Sequence, residues 1–158
     1  MKATPSIVAL ALGFLTLGPL CAGPAQAALS GDTASVHDDE IELRGTVTAV
    51  AHFAGFERRT LSTDTGLVIN EFLTPAGTVF ALSWSGPVLP DLRALLGRHY
   101  STYVAALGQF AQPGLKRSLR ISTADFVMES AGHLRAFVGH AYVPSLLPGG
   151  VPLRDLPW

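Results

Sequence analysis

The chain has 158 residues, a formal net charge of −1 from 11 Lys and Arg against 12 Asp and Glu, and a single cysteine. So even a balance, with the cations scattered along the chain, excludes electrostatic capture of a phosphate backbone, and nucleic acid is not an expected partner. One cysteine excludes an intrachain disulfide framework, and the length suits one ordinary domain able to bury a core.

The stretch from Met1 to Ala28 has a cation at Lys2, an apolar run from Ile7 to Leu20, and the small-residue end Ala25-Gln26-Ala27. That order is the secretory pattern and predicts a cleavable signal over residues 1–27, cut between Ala27 and Ala28. The run holds about 14 residues, broken by Gly13, Gly18 and Pro19, whereas a membrane span needs about 20. Cys21 raises a competing possibility, a lipid-bearing first residue, but Leu20 directly before it and Gly18 three before do not fit that signal. Cleavage would remove Lys2 and Cys21, taking the net charge from −1 to −2 and leaving a thiol-free chain. A periplasmic or secreted location is expected, with no stable membrane span in the mature chain.

Behind the signal, Ser30-Gly31-Asp32 offers capping groups for a short helix over 33–43. Thr46 to Phe53 alternates strictly, with Val47, Ala49, Ala51 and Phe53 on one side, and predicts a half-buried strand. Gly55 breaks it. Phe56 to Thr63 resumes an extended run, Asp64-Thr65-Gly66 supplies a turn, and Leu67 to Thr74 returns. A second turn at Pro75-Ala76-Gly77 leads into Thr78 to Ser85, whose apolar residues suit a central strand.

Gly86-Pro87 stops the sheet, and Pro90 opens a long helix running to Leu107, with Asp91 in its first turn. Leu92, Leu95, Leu96, His99, Tyr100, Tyr103 and Leu107 recur at three and four residues and form one apolar face. Gly97 inside it implies close backbone packing. Gln112-Pro113-Gly114 begins a mobile connection that carries Lys116, Arg117 and Arg120. A last hairpin is expected from Asp125 to Ser130 and His133 to Val143, turning at Ala131-Gly132. The prolines and glycines of 144–158 make a non-repetitive tail. The class predicted is α+β: a single domain over 28–143 with an antiparallel sheet of about five strands in hairpins and one long amphipathic helix packed on one face.

Four blocks carry a family resemblance: Thr74-Pro75-Ala76-Gly77-Thr78-Val79-Phe80-Ala81; Trp84-Ser85-Gly86-Pro87 through Leu89-Pro90-Asp91-Leu92; Leu95-Leu96-Gly97; and Glu129-Ser130-Ala131-Gly132-His133-Leu134-Arg135-Ala136-Phe137. Together with Ala28-Leu29-Ser30-Gly31-Asp32, they resemble the exported bacterial domain of unknown function 2844 family. The likeness spans nearly the whole mature chain. It implies export and fold class, but transfers no catalytic residue, because the family carries no established activity.

Among the five histidines, His37, His52, His99, His133 and His140, no close ligand spacing marks a metal site. His133 and His140, seven apart, fall on opposite faces if both lie on one regular strand. His99 on the apolar helix face reads as a core histidine. Trp84-Ser85-Gly86-Pro87 lacks the glycine that a nucleophile elbow places before its serine. No phosphate-cradling loop or dinucleotide fingerprint is present, so no cofactor is expected.

The cluster that stands out is Glu129, His133 and Arg135 about the last hairpin. It has two readings: a cross-strand ion pair fixing the hairpin, or a polar patch for a ligand or partner with Trp84 and Tyr100 as apolar contacts. The function expected is a non-catalytic binding or accessory module of the envelope, acting on an envelope protein or a small ligand. The alternative is a small periplasmic hydrolase or metal-dependent enzyme using His133 or His99.

Overall fold

The computed structural model describes residues 29–31, 45–109 and 118–156. The signal, its cleavage site at Ala27 and Ala28, and the helix expected over 33–43 lie outside them. The strands are β1 (Gly45–Phe53), β2 (Phe56–Thr63), β3 (Val68–Leu73), β4 (Val79–Gly86), β5 (Ser118–Ser122), β6 (Val127–His133) and β7 (Ala136–Tyr142). They form one sheet in the order β1-β2-β3-β4-β7-β6-β5, with every neighbouring pair antiparallel. The sheet thus has seven strands rather than about five, and the architecture is mostly β.

Three expectations need correction. The connection expected around Arg120 contains β5, where Leu119 and Ile121 alternate with Ser118, Arg120 and Ser122. The last hairpin turns at Leu134-Arg135, not at Ala131-Gly132: β6 runs on to His133, and Arg135 takes the left-handed backbone at φ 64°. Gly132 serves a different end, since a Cβ there would stand 2.6 Å from Cδ1 of Phe137 across the hairpin. The long helix is broken into α1 (Leu92–Leu96), a 3-10 turn at Gly97–His99, and α2 (Tyr100–Gln109). Gly97 causes the break: its φ of 47° and ψ of −120° lie outside the helical region, and its N–H caps α1 on the Arg93 carbonyl. Asp91 is the N-cap, its side chain accepting from the N–H groups of Arg93 at 2.8 Å and Ala94 at 3.2 Å.

Cross-strand partners share a face, so the register sorts every strand residue. Val47, Leu61, Ile69, Leu82, Trp84, Ala141, Met128 and Ile121 lie on one face and pack with Leu92, Leu95, Leu96, Tyr100 and Tyr103 of the helical segment. Leu29 joins that core, 1% exposed, and the chain there is stitched to the sheet and α1 by Leu29 N–H to Leu95 O (3.0 Å), Ser30 N–H to Val79 O (2.8 Å) and Val79 N–H to Gly31 O (2.9 Å). In β1 an extra residue between Val47 and Ala49 flips the alternation, which leaves Ala49 exposed although Val47 faces the core.

The opposite face divides in two. At one end Phe56, Phe72 and Phe80 gather with ring centroids 6.1 to 6.4 Å apart. Phe80 reaches them because an irregularity in the β3–β4 register leaves it unpaired between Val79 and Ala81. Leu146, Leu147, Val151, Leu153 and Leu156 of the Pro- and Gly-rich tail cover this cluster. The tail is anchored by Val143 N–H to Phe80 O at 2.9 Å and is shaped by 3-10 turns at Pro144–Leu146 and Leu153–Asp155. The other end of this face has no helix or tail over it among the described residues, and carries the candidate site.

Trp84 shows how closely the helix-side core is fitted. Its indole lies over Gly139, its partner on β7, and a Cβ at that glycine would collide with the ring and stand 2.8 Å from the Glu129 carbonyl. Gly139→Ala should therefore destabilise by about 1 to 3 kcal/mol, the usual cost of overpacking. Thermal unfolding checks this: the melting temperature should fall well below that of Gly149→Ala, whose added Cβ meets nothing within 4 Å.

Candidate functional site

One row of residues crosses the open face at right angles to the strands: Thr60 on β2, Asn70 on β3, Ser83 on β4, His140 on β7, Glu129 on β6 and Arg120 on β5. Each is the direct cross-strand partner of the next. Five of the six, Asn70 to Arg120, line a concavity of about 560 Å³, together with Ser85, Val138, Ala131 and Ser118 of the same face. That volume falls within the usual range of small-molecule sites.

The row has an ordered hydrogen-bond polarity. The Thr60 hydroxyl donates to Oδ1 of Asn70 at 2.8 Å, and Nδ2 of Asn70 donates to Oγ of Ser83 at 3.2 Å. Oδ1 of Asn70 thus faces Thr60 and its Nδ2 faces Ser83. With its oxygen accepting from the amide, Ser83 keeps its own proton to donate. Its cross-strand partner on β7 is His140, and the partner of His140 on β6 is Glu129. Nη1 of Arg120 pairs with Oε1 of Glu129 at 3.1 Å. Burial holds the His140 pKa below its ordinary value and Arg120 adds to the effect, while Glu129 pulls the other way. The imidazole is therefore neutral near pH 7, and the Arg120 and Glu129 charges cancel. Among the described residues no group of three or more His, Cys, Asp or Glu is arranged to hold a metal ion.

The residues singled out from sequence do not form one patch. Glu129 is in the row, but its ion-pair partner is Arg120 of β5 rather than His133 or Arg135. His133 ends β6 opposite Ala136, exposed, and Arg135 lies in the adjoining turn. Trp84 points to the helix side and is 2% exposed, so its indole cannot meet a ligand on the open face. Tyr100 lies on α2, its ring 5.7 Å from that of Tyr103. His99 is buried between Ser30, whose hydroxyl is 3.2 Å from Nε2, and the Phe126 ring stacked at 5.5 Å. His133 and His140 lie on neighbouring strands and share the open face, contrary to the expectation of opposite faces. Four positions along β6 still separate His133 from the residue opposite His140, roughly 13 Å.

Asn70, Ser83, His140 and Arg120 were not distinguished by sequence. Each is polar at a position where its strand alternates, which shows that it faces away from the core, but alternation within one strand says nothing of its neighbour on the next. The register supplies that.

Burial lowers the pKa of His99 as well as that of His140; for His99, Arg98 adds to the lowering and Asp125 opposes it. The unfolded chain takes up protons at these histidines around 6.5, while the folded chain resists until lower pH. Their contribution to stability is complete above that range and is lost as pH falls through it toward the depressed folded values. The melting temperature should drop between about pH 7.5 and about pH 5, and His140→Gln should flatten that drop. A fall of the same size in His99→Gln/His140→Gln would assign it to other groups.

No curated protein and no solved structure matches the chain. A family profile described as Protein of unknown function (DUF2844) matches residues 25–156, a span that takes in all seven strands, both helices, the polar row and the tail as far as Leu156. The chain belongs to that domain of unknown function 2844 family.

Proposed function

We propose that this is an exported protein of the cell envelope, a small binding or accessory module whose open sheet face holds a small neutral polar ligand. The observation that carries this is the row from Asn70 to Arg120 along the concavity: donors and acceptors are plentiful, and their formal charges sum to zero. A neutral ligand would meet the Asn70 amide, the hydroxyls of Ser83, Ser85 and Ser118, and the apolar Val138 and Ala131 without leaving a buried charge uncompensated. Export is supported by the secretory pattern of residues 1–27. Among the described residues no helix is long and apolar enough to cross a membrane.

Amide resonances test the binding site. Titration with a panel of small neutral amides, esters and polyols should shift the signals of Asn70, Ser83, Ser85, Val138 and His140 together. Shifts confined to α1 and α2, or none across the panel, would overturn the assignment. Export has its own measurement: the protein recovered from the periplasm or medium should begin at Ala28 by mass spectrometry; an intact Met1 would count against export, and a lipid on Cys21 would replace the free mature chain by a tethered one.

A further inference from the structure

Ser83, His140 and Glu129 are consecutive cross-strand partners on β4, β7 and β6, and they line one concavity. Residues directly opposite in an antiparallel pair have Cβ atoms about 4.5 to 5.5 Å apart, so a serine hydroxyl, an imidazole and a carboxylate stand in sequence within side-chain reach. A hydroxyl, a base beside it and an acid beyond the base make up the arrangement that turns serine into a nucleophile. It is recognised by geometry and roles, not by chain order or fold. From this we infer that the protein is a serine-dependent acyl hydrolase, with Ser83 as nucleophile, His140 as general base and Glu129 as the group that orients the imidazole. The inference rests on the concavity holding a small neutral ligand and goes beyond it by assigning a reaction.

The surroundings favour each role. Ser83 is 4% exposed yet lines the concavity, so its hydroxyl is sheltered from bulk water and open only on the ligand side. The Asn70 amide holds Oγ as an acceptor at 3.2 Å, which leaves the Ser83 proton to be given toward His140. Glu129, tied to Arg120 at 3.1 Å, can accept from the far side of the ring. His140 is neutral near pH 7 and so can take a proton. The nucleophile lies mid-strand rather than on an elbow, which the concave sheet allows because the ligand approaches the face from above.

The chemistry balances with an ester and water alone. Oγ of Ser83 bonds to the ester carbonyl carbon as its proton passes to His140, and the new oxyanion accepts from Nδ2–H of Asn70. Collapse breaks the bond to the alkoxy oxygen, which leaves as the alcohol carrying the proton from His140. Water then gives a proton to His140 and attacks the acyl-serine. The acid leaves, and the proton returns to Ser83. The net reaction is ester plus water giving acid plus alcohol. The substrate class is a carboxylic ester with small neutral groups.

The test uses the full mature chain with p-nitrophenyl acetate and a fluorophosphonate. One phosphonyl adduct should form, on Ser83 by peptide mapping, and esterase activity should accompany it. Ser83→Ala should lose the adduct and at least about 1,000-fold in kcat/KM. His140→Gln should lose about 100-fold or more, and wild-type activity should rise with pH as the imidazole deprotonates below 6.5. Ser101→Ala, on α2, is the control and should keep full activity. The near-ultraviolet circular dichroism of Trp84 reports whether each variant is folded. No adduct on folded wild-type protein, an adduct on another residue, or activity unchanged in folded Ser83→Ala would overturn the assignment. Titration with 4-nitroacetanilide, an amide isostere of the ester, separates the two levels. If it shifts the Asn70, Ser85 and His140 resonances while the esterase is absent, binding stands and hydrolysis falls; if it shifts none of them, both fall.

Discussion

The pairing of β4 with β7 is the contact on which the rest of the molecule depends. It joins two antiparallel meanders, β1 to β4 and β5 to β7, and brings Tyr142 beside Ala81, 61 positions earlier in the chain. Without it each meander would leave an apolar strand edge unpaired, a hazard for any soluble sheet. The same pairing places Gly139 under Trp84 on the helix side and His140 beside Ser83 on the open side. Core fit and candidate chemistry are thus fixed by one register. A shift of one residue along β7 would put His140 against the helices and a side chain into the indole. Contacts this distant in sequence close slowly, so the two halves should form before they join.

The first four strands were legible because their turns advertise themselves. Asp64-Thr65-Gly66 and Pro75-Ala76-Gly77 fall where the chain reverses, between strands whose alternation is plain. β5 was hidden by its surroundings: Ser118 to Ser122 alternates well, but it is five residues long and follows a Pro-Gly and two cations, Lys116 and Arg117, which read as a connection. The last hairpin misled because glycine has two uses. Gly132 is small to clear the Phe137 ring, while the turn is made by Leu134 and Arg135, a pair whose composition signals nothing. Gly97 misled in the opposite sense, since it ends a helix that the apolar periodicity continues through.

The site was less legible than the fold for a physical reason. Period-two alternation tells which face a side chain takes, but a site built across a sheet needs one residue from each of several strands, and only the register aligns them. Glu129 was visible as an ionisable group near other ionisable groups in the sequence, yet its working neighbours, Arg120 and His140, come from the strands on either side. Sequence proximity pointed instead to His133 and Arg135. The indole of Trp84 takes the helix side because its partner Gly139 has no side chain where the ring lies, a fact that β4 alone does not carry.

Half of the open face is explained by burial and half is not. The Phe56, Phe72 and Phe80 end is apolar, and the tail covers it as an apolar surface requires. The polar end could be no more than the solvated side of an antiparallel sheet, which normally alternates apolar inward and polar outward. Solvation alone, however, is served by polar side chains in any order, and here the stretch from Thr60 to Ser83 is short-chained, hydrogen-bonded in one direction and partly sheltered. Thr60 donates to Asn70 and Asn70 to Ser83, each hydrogen bond running the same way toward His140. Ser83 is buried to 4% exposure at the centre of a hollow, an expensive position for a hydroxyl whose only task is to meet water. A directed chain of polar groups that converges on a sheltered serine, a neutral imidazole and a braced carboxylate is better accounted for by a ligand on that face than by solvent.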